Sequence, residues 1–284
     1  MSQAIQSKSK INYNYLTIKM TQSRIDKGLI AIPRSLVDFF PNGNADIRVY
    51  LNDFSKPEVT TYSYYKGTTR ENRIGGMAHW FEENNIQNGD EIVIQIIDTD
   101  KHIYRLIPEN KFIVKTKTLQ TKFDTSKNDD DASENIKHIG EWMNLQKRDV
   151  AIREFYRMAQ ETSIPKRGYV ERELDRVREN VPHSSRVLLD YIYQGHCQLC
   201  DFTFLKKDMK PYYEIHHIDP LIGNHPKNLI SVCANCHSQF EYANVHHEFN
   251  PDGWLTKVRF NDVPYTANQI LSKINIDNIK KTYL

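Results

Sequence analysis

The tightest constraint on this chain lies in its last third, where two Cys-x-x-Cys pairs, Cys197/Cys200 and Cys233/Cys236, account for all of its cysteines. Two such pairs on separate turns can close one tetrahedral zinc site, and four thiolate ligands leave that ion no open position for chemistry. A disulfide framework is the alternative. A chain of 284 residues is far above the size that needs such staples, however, and no secretory leader pattern stands at its start. Structural Zn2+ is therefore expected, in a cytoplasmic setting. With every cysteine committed to metal, no thiol remains for nucleophilic catalysis, and any chemistry falls to the histidines.

Between the pairs run EIHHIDP (214–220), the loop LIGNHPK (221–227) and NLISVCANCH (228–237). A β-branched stretch ending in His216-His217, a loop holding Gly223 and Pro226, and a segment passing through Cys-x-x-Cys-His into SQFEYA predict strand, loop, strand and helix. Over about residues 190–250 this pattern resembles the HNH endonuclease family, whose ββα-metal fold is held in many members by the same cysteine quartet. The resemblance implies that His217 is the general base, that His216 and His237 bind one catalytic divalent cation, Mg2+ or similar, and that Asn228 orients the base-bearing loop.

Each implied role has a physical reason. A phosphodiester resists attack because its anionic oxygens repel hydroxide, so a nucleophile must be generated and the growing charge neutralised. Histidine can take a proton from water near neutral pH. Neighbours on a strand point to opposite faces, so His216 and His217 are splayed unless the strand ends there, and Pro220 fits an early stop. Alone, a His-His pair is most often a packing feature and an asparagine before an apolar run a turn residue. Their common register with the cysteines is what carries the assignment.

One position departs from the family pattern. Many relatives place a further histidine one helical turn after the last motif histidine, where this chain has Glu241. It lies at i+4 from His237, and a carboxylate suits a hard cation, so Glu241 is either a ligand to Mg2+ or an exposed helix glutamate. His246 and His247 lie beyond that turn and are read as a solvated loop, with contact to phosphate or metal as the alternative. His196 and His225 receive no role.

Net charge is only +2, which excludes a globally basic nucleic-acid coat. Any DNA surface must come from local clustering of Lys and Arg. No stretch is long and apolar enough to cross a membrane.

The first 115 or so residues read as mostly β. GLIAIPRSLVDFFP (28–41), DIRVYL (46–51), EVTTYSYY (58–65), DEIVIQII (90–97) and HIYRLIP (102–108) are short β-branched or aromatic runs between turn residues, with a short helix expected at 77–84. Strands with a helix plugging one end predict a pseudobarrel. The order Gly-x-x-x-Ile-Pro, Phe-Pro, then Gly-Gly…Trp-Phe-x-x-Asn-Asn-Ile-x-x-Gly-Asp before an apolar strand resembles, over about residues 15–110, the B-three DNA-binding domain of plant auxin-response transcription factors, also found in some restriction enzymes. In that family two arms clasp the major groove. The first matches residues 21–27, with Ser23, Arg24 and Lys27; the second matches 62–73, with Lys66, Thr68, Thr69, Arg70, Asn72 and Arg73. Arg and Asn read guanine and adenine edges bidentately, whereas Lys and Thr suit phosphate. A solvated hairpin tip is the plain alternative for any one of these residues.

Residues 116–132 are polar, include the acidic run 129–131, and read as a linker whose acidic run either is a solvated spacer or caps the next helix. Helical spacing recurs from 133 to about 159, and the charge-dense KRGYVERELDRVREN (166–180) reads as an exposed helix. The expected architecture is α+β multidomain: a β-pseudobarrel recognition domain over 1–115, a linker over 116–132, a helical connector over 133–190, and an HNH nuclease domain with its zinc over 191–284. The expected function is a restriction-type, sequence-specific endonuclease on double-stranded DNA. One HNH centre cuts one strand, so a homodimer is the simplest route to a double-strand break. Two other readings stay open: a modification-dependent nuclease sensing 5-methylcytosine, and a non-catalytic zinc-containing DNA-binding regulator.

Overall fold

The computed structural model of the chain describes residues 6–8, 10–53, 55–67, 70–160, 169–172, 175–178 and 180–273. They divide into two compact units, Met1–Thr118 and Leu119–Leu284.

In the first unit β1 (Gln6–Lys8) and β2 (Tyr15–Lys19) lead into the short helix α1 (Gln22–Asp26), then β3 (Ile30–Ile32), β4 (Ala45–Leu51), β5 (Pro57–Ser63) and β6 (Asn72–Ile74). Helix α2 (Ala78–Glu83) precedes β7 (Glu91–Asp98) and β8 (Ile103–Pro108). The strands hydrogen-bond in the order β1-β2-β7-β8-β4-β5-β6-β3, antiparallel throughout except for the parallel pair β4–β8, and form a nearly closed barrel. Strand alternation fills it: Ile47 and Val49 of β4 point inward while Asp46 and Arg48 between and before them are exposed. Trp80 and Phe81 of α2 join that core, and Phe40 stacks on Tyr104 at 4.1 Å. Gly28, at φ +59, lets the turn after α1 approach this helix, since a Cβ there would meet the Ala78 backbone nitrogen at 3.0 Å.

The run 28–41 is a strand only as far as Ile32. Pro33 supplies no ladder donor, and the next six residues, Arg34–Phe39, wind into a 3-10 turn that buries Leu36.

The expected linker is largely helical. Helix α3 extends over Glu109–Asp124 and α4 over Asp129–Met143, because Leu119 and Phe123, four residues apart, are buried, and Gln120 donates to the buried Glu154 carboxylate at 2.9 Å. The acidic run caps α4: Asn128 accepts from the Asp131 backbone N–H at 2.8 Å, and the three aspartates occupy the first turn, where the helix dipole favours negative charge. What reads as one periodic run from 133 to 159 is α4 followed by α5 (Lys147–Ala159), separated at Asn144, which ends α4 in the left-handed region at φ 57.

The stretch expected as an exposed helix at 166–180 contains instead the antiparallel pair β9 (Tyr169–Arg172) and β10 (Asp175–Arg178), with Val170 opposite Val177. Charge density made it look helical; Tyr169, Val170 and Val177 are better strand formers.

Helix α6 (His183–Tyr193) follows Pro182, and then come β11 (Glu214–His217), β12 (Leu229–Val232) and α7 (Ala234–Tyr242). A meander of β13 (Val245–Phe249), β14 (Leu255–Phe260) and β15 (Val263–Thr266) leads to α8 (Ile270–Lys273). His246 and His247 therefore lie on a strand rather than in a solvated loop, held by pairing with Arg259 and Val258. Cys197, Ile218, Ile230, Val232, Leu255, Val258 and Phe260 build the local core. The helices expected as a connector belong to the same compact unit: Phe155 of α5 meets Trp254 at 6.1 Å, and Tyr193 of α6 donates to Gln269 at 3.1 Å.

Candidate active site

The quartet comes together as the spacing predicts. The sulfurs of Cys197, Cys200, Cys233 and Cys236 lie within 4.8 Å of one another, with Cys200 at 3.7 Å from both Cys233 and Cys236. A tetrahedron of thiolates around zinc has sulfur–sulfur edges of about 3.8 Å, given Zn–S bonds of about 2.3 Å. All four are unbridged thiols, so the disulfide alternative is set aside and the donor set fits a structural zinc. Crowding already splits their acidities: a hydrogen bond from Cys236 lowers the Cys197 thiol, and the same bond pushes Cys236 up.

Strand β11 carries the two histidines on opposite faces, and it ends at His217. On one face, His216 stacks on Phe240 of α7 at 4.0 Å and meets the His237 ring edge-on at 5.2 Å. Glu214, two residues earlier on the strand, shares that face, and one of its carboxylate oxygens lies 2.9 Å from His237 Nδ1. The other accepts from the Tyr212 hydroxyl.

On the opposite face His217 is buried, and its Nε2 lies 2.9 Å from the Asn224 carboxamide oxygen. That oxygen can only accept, so Nε2 carries the proton and the basic lone pair sits on Nδ1. Asn228 ties down the intervening turn. Its side-chain oxygen accepts from the Asp219 N–H at 2.8 Å, and its amide donates to the carbonyls of Asp219 and Ile222, both at 3.0 Å, and of Gly223 at 3.2 Å. The asparagine is buried, so these bonds satisfy a group that would otherwise be costly to desolvate.

His216 and His237 are the two imidazoles gathered on this face, with ring centroids 5.2 Å apart. Two imidazoles suit a borderline metal, whereas Mg2+ would lean on water and phosphate oxygens for the rest of its shell. Glu241 stands exposed on α7, and among the described residues the four cysteines are the only gathered group of three or more potential ligands. The carboxylate beside His237 is Glu214. Two site residues thus escaped the sequence reading, Glu214 and Asn224. The first was detectable from the two-residue period of a strand that was already predicted; the second occupies a loop with no periodicity to mark it.

In the barrel, residues of both expected arms line one cleft of 1170 Å³, among them Ser23, Lys27, Lys66 and Arg70, all exposed. Arg24 crosses between the arms, its guanidinium donating to both carboxylate oxygens of Glu71 at 3.0 and 2.9 Å and to the Lys19 carbonyl at 3.1 Å. Arg73 donates to the Tyr65 hydroxyl, and the guanidinium groups of Arg73 and Arg70 lie over the Tyr65 ring at 5.0 and 5.6 Å. Asn72 lines the cleft as well but is buried on β6, and its side-chain oxygen accepts from the Tyr65 N–H at 2.7 Å, which ties down the arm. Thr68 and Thr69 lie outside the described residues.

Comparison with known proteins falls on the same regions. Residues 197–242, which span the quartet and the ββα unit, match the family described as HNH endonuclease, which supports a nuclease. Among solved structures, an Arabidopsis FUS3–DNA complex aligns at 15% identity with a TM-score of 0.28, covering 32% of this chain and 92% of that one. A likeness this slight carries no argument. No curated protein matches the chain. Among the described residues no helix is long and apolar enough to cross a membrane.

Proposed function

We propose that this chain is a metal-dependent endonuclease of restriction type that recognises a short site in double-stranded DNA through its barrel and cuts with its HNH unit. The observation that carries the reading is the arrangement around β11: His217 against Asn224 on one face, and His216 facing His237 of α7 on the other.

The chemistry follows from the residues. His217 Nδ1 takes a proton from water, whose oxygen attacks phosphorus in line; the P–O3′ bond breaks and the departing 3′-oxygen takes a proton from solvent water, leaving 3′-hydroxyl and 5′-phosphate ends. Asn224 holds the imidazole tautomer that makes Nδ1 the acceptor, and Asn228 holds the loop on which Asn224 sits. A divalent cation on His216 and His237, Mg2+ or a borderline relative, would supply charge neutralisation at the departing 3′-oxygen. The structural zinc on the quartet would keep β11, β12 and α7 in register. Ser23, Lys27 and Lys66 provide phosphate contacts, and Arg70 and Arg73 provide base-reading forks at the cleft. A homodimer on a two-fold site would cut both strands.

The test is digestion of methylated and unmethylated duplex libraries with Mg2+ or Mn2+, followed by mapping of both ends. Cleavage at a recurrent site with 5′-phosphate ends supports the reading. Cleavage restricted to methylated DNA would transfer support to the modification-dependent alternative, and binding without cleavage in either metal would leave only a regulator.

A further inference from the structure

Resting on the nuclease reading above, we propose that Glu214 is a positioning residue of the catalytic metal site: with Tyr212 it locks His237 in the Nδ1–H tautomer, so that Nε2 is the nitrogen offered to the cation.

β11 pairs with β12 with Glu214 opposite Val232 and His216 opposite Ile230, and α7 packs against β11. The strand's two-residue period puts Glu214 and His216 on the face toward α7, and the helix presents His237 and, three residues on, Phe240 to them. Phe240 holds the His216 ring by stacking at 4.0 Å and 17°. What orients His237 is the 2.9 Å contact between Nδ1 and a Glu214 oxygen, both side chains being about one third exposed, at 33% and 31%.

An ionised carboxylate only accepts hydrogen bonds, so Nδ1 carries the proton in this contact and the lone pair falls on Nε2. The second Glu214 oxygen is held by the Tyr212 hydroxyl, which stops the carboxylate from rotating toward the cation side. Tyr212 is fixed in turn: its N–H donates to the Phe204 carbonyl at 2.9 Å and its ring stacks on Phe204 at 5.0 Å. A chain of contacts therefore runs from the loop that follows the first cysteine pair, through Tyr212 and Glu214, to the metal-binding nitrogen. Carboxylates behind ligand histidines fix ring orientation and raise ligand basicity, and their loss weakens metal affinity about 10- to 100-fold.

The experiment uses the full-length, zinc-loaded protein and Mn2+ as the probe. Mn2+ affinity is measured by calorimetry for the parent, Glu214→Gln, Glu214→Ala, Tyr212→Phe and His237→Ala, with zinc content and circular dichroism as checks on folding. In parallel, nitrogen-15 spectra of labelled histidine in the Mn2+-free protein report the His237 tautomer. Expected are the Nδ1–H form in the parent, its loss in Glu214→Ala with Mn2+ affinity down about 10- to 100-fold, and its retention in Glu214→Gln with near-parent affinity, because the amide oxygen still accepts the bond. Tyr212→Phe should fall between. If Glu214→Gln loses Mn2+ as completely as His237→Ala, Glu214 is a direct ligand and the positioning role is overturned. An Nε2–H tautomer in the parent overturns it as well. The tautomer is read without catalysis, so a protein that cuts no DNA would sink the nuclease reading while leaving this result to stand or fall on its own.

Discussion

Asn224 grips His217 from the side away from its basic nitrogen, accepting from Nε2 at 2.9 Å while donating from its own amide to the Asn180 carbonyl at 3.2 Å. The imidazole is thus oriented before any substrate arrives. His217→Ala should lower the single-turnover cleavage rate by roughly 10²–10⁴-fold, the usual weight of a general base, with zinc content and DNA binding unchanged. Asn224→Ala should lower it by a smaller factor, since the ring remains and only its orientation is released. Parent-level cleavage by His217→Ala would remove the proposed base.

Mutation should separate the zinc quartet from the proposed catalytic metal site. Cys197→Ser or Cys236→Ser takes one corner from the quartet, and structural zinc in small modules contributes folding free energy on the order of 10 kcal/mol. Both variants should lose zinc and melt the β11–α7 unit first. His237→Ala should keep zinc and lose divalent-cation-dependent cutting. Elemental analysis decides it: zinc loss from the His237 variant would mean that the ligands have been divided wrongly between the sites.

Asn228 makes four hydrogen bonds from a buried side chain to the turn between the motif histidine and the glycine loop. Asn228→Ala strands the Asp219 N–H and the Ile222 carbonyl, while the carbonyls of Asp219 and Gly223 keep the N–H groups of Ile222 at 3.2 Å and His225 at 2.9 Å. Each unsatisfied buried group costs about 1–3 kcal/mol, less where water enters. The expected signature is a lower urea midpoint together with slower cleavage, and both should recover little in Asn228→Asp, which keeps the acceptor for Asp219 but removes the three donations. A variant that cuts slowly at undiminished stability would argue for a direct catalytic part instead.

How much of this was legible follows from where the information sits. The quartet is a local spacing that metal-ligand chemistry demands regardless of context, and the His216, His217, Asn228 and His237 register follows the same short stretch of chain. The barrel strands were legible because β4, β7 and β8 alternate or run apolar between turn residues. Helix α3 was not, because the residues that bury it, Leu119, Gln120 and Phe123, sit in a polar run whose partner Glu154 is 34 residues away from Gln120. The β9–β10 hairpin was masked by charges that favour helices. Asn72 is a base reader by type, and its burial at 6% exposure and its bond to the Tyr65 N–H come from strand packing that residue type does not encode. Glu241 was singled out by helical period, yet the carboxylate that reaches His237 comes from the neighbouring strand, a contact that sequence spacing along one element does not encode.

The last prediction separates reading from cutting, and it is made in the His217→Ala background so that binding is measured on intact DNA. Arg70 is exposed at the cleft, while Arg24 is held by Glu71 and Lys19 and Arg73 by Tyr65. Arg70 is therefore the guanidinium with most freedom to fork onto a base edge. Arg70→Ala should relax discrimination at one base position by about 1–3 kcal/mol. Lys66→Ala should weaken binding to all sequences alike and lower the salt slope by about one, as expected for one phosphate contact. Glu71→Gln weakens the bridge that occupies Arg24, so it should strengthen binding and steepen the salt dependence, the opposite sign from Lys66→Ala. Asn72→Ala should lower barrel stability without changing preference at any single base. These four signs come from one cleft geometry, and competition binding against a randomised duplex pool at two salt concentrations reads them together. If Arg70→Ala and Lys66→Ala leave both preference and salt slope at parent values, the barrel cleft does not face DNA, and specificity must be sought in the loops around β11 and α7.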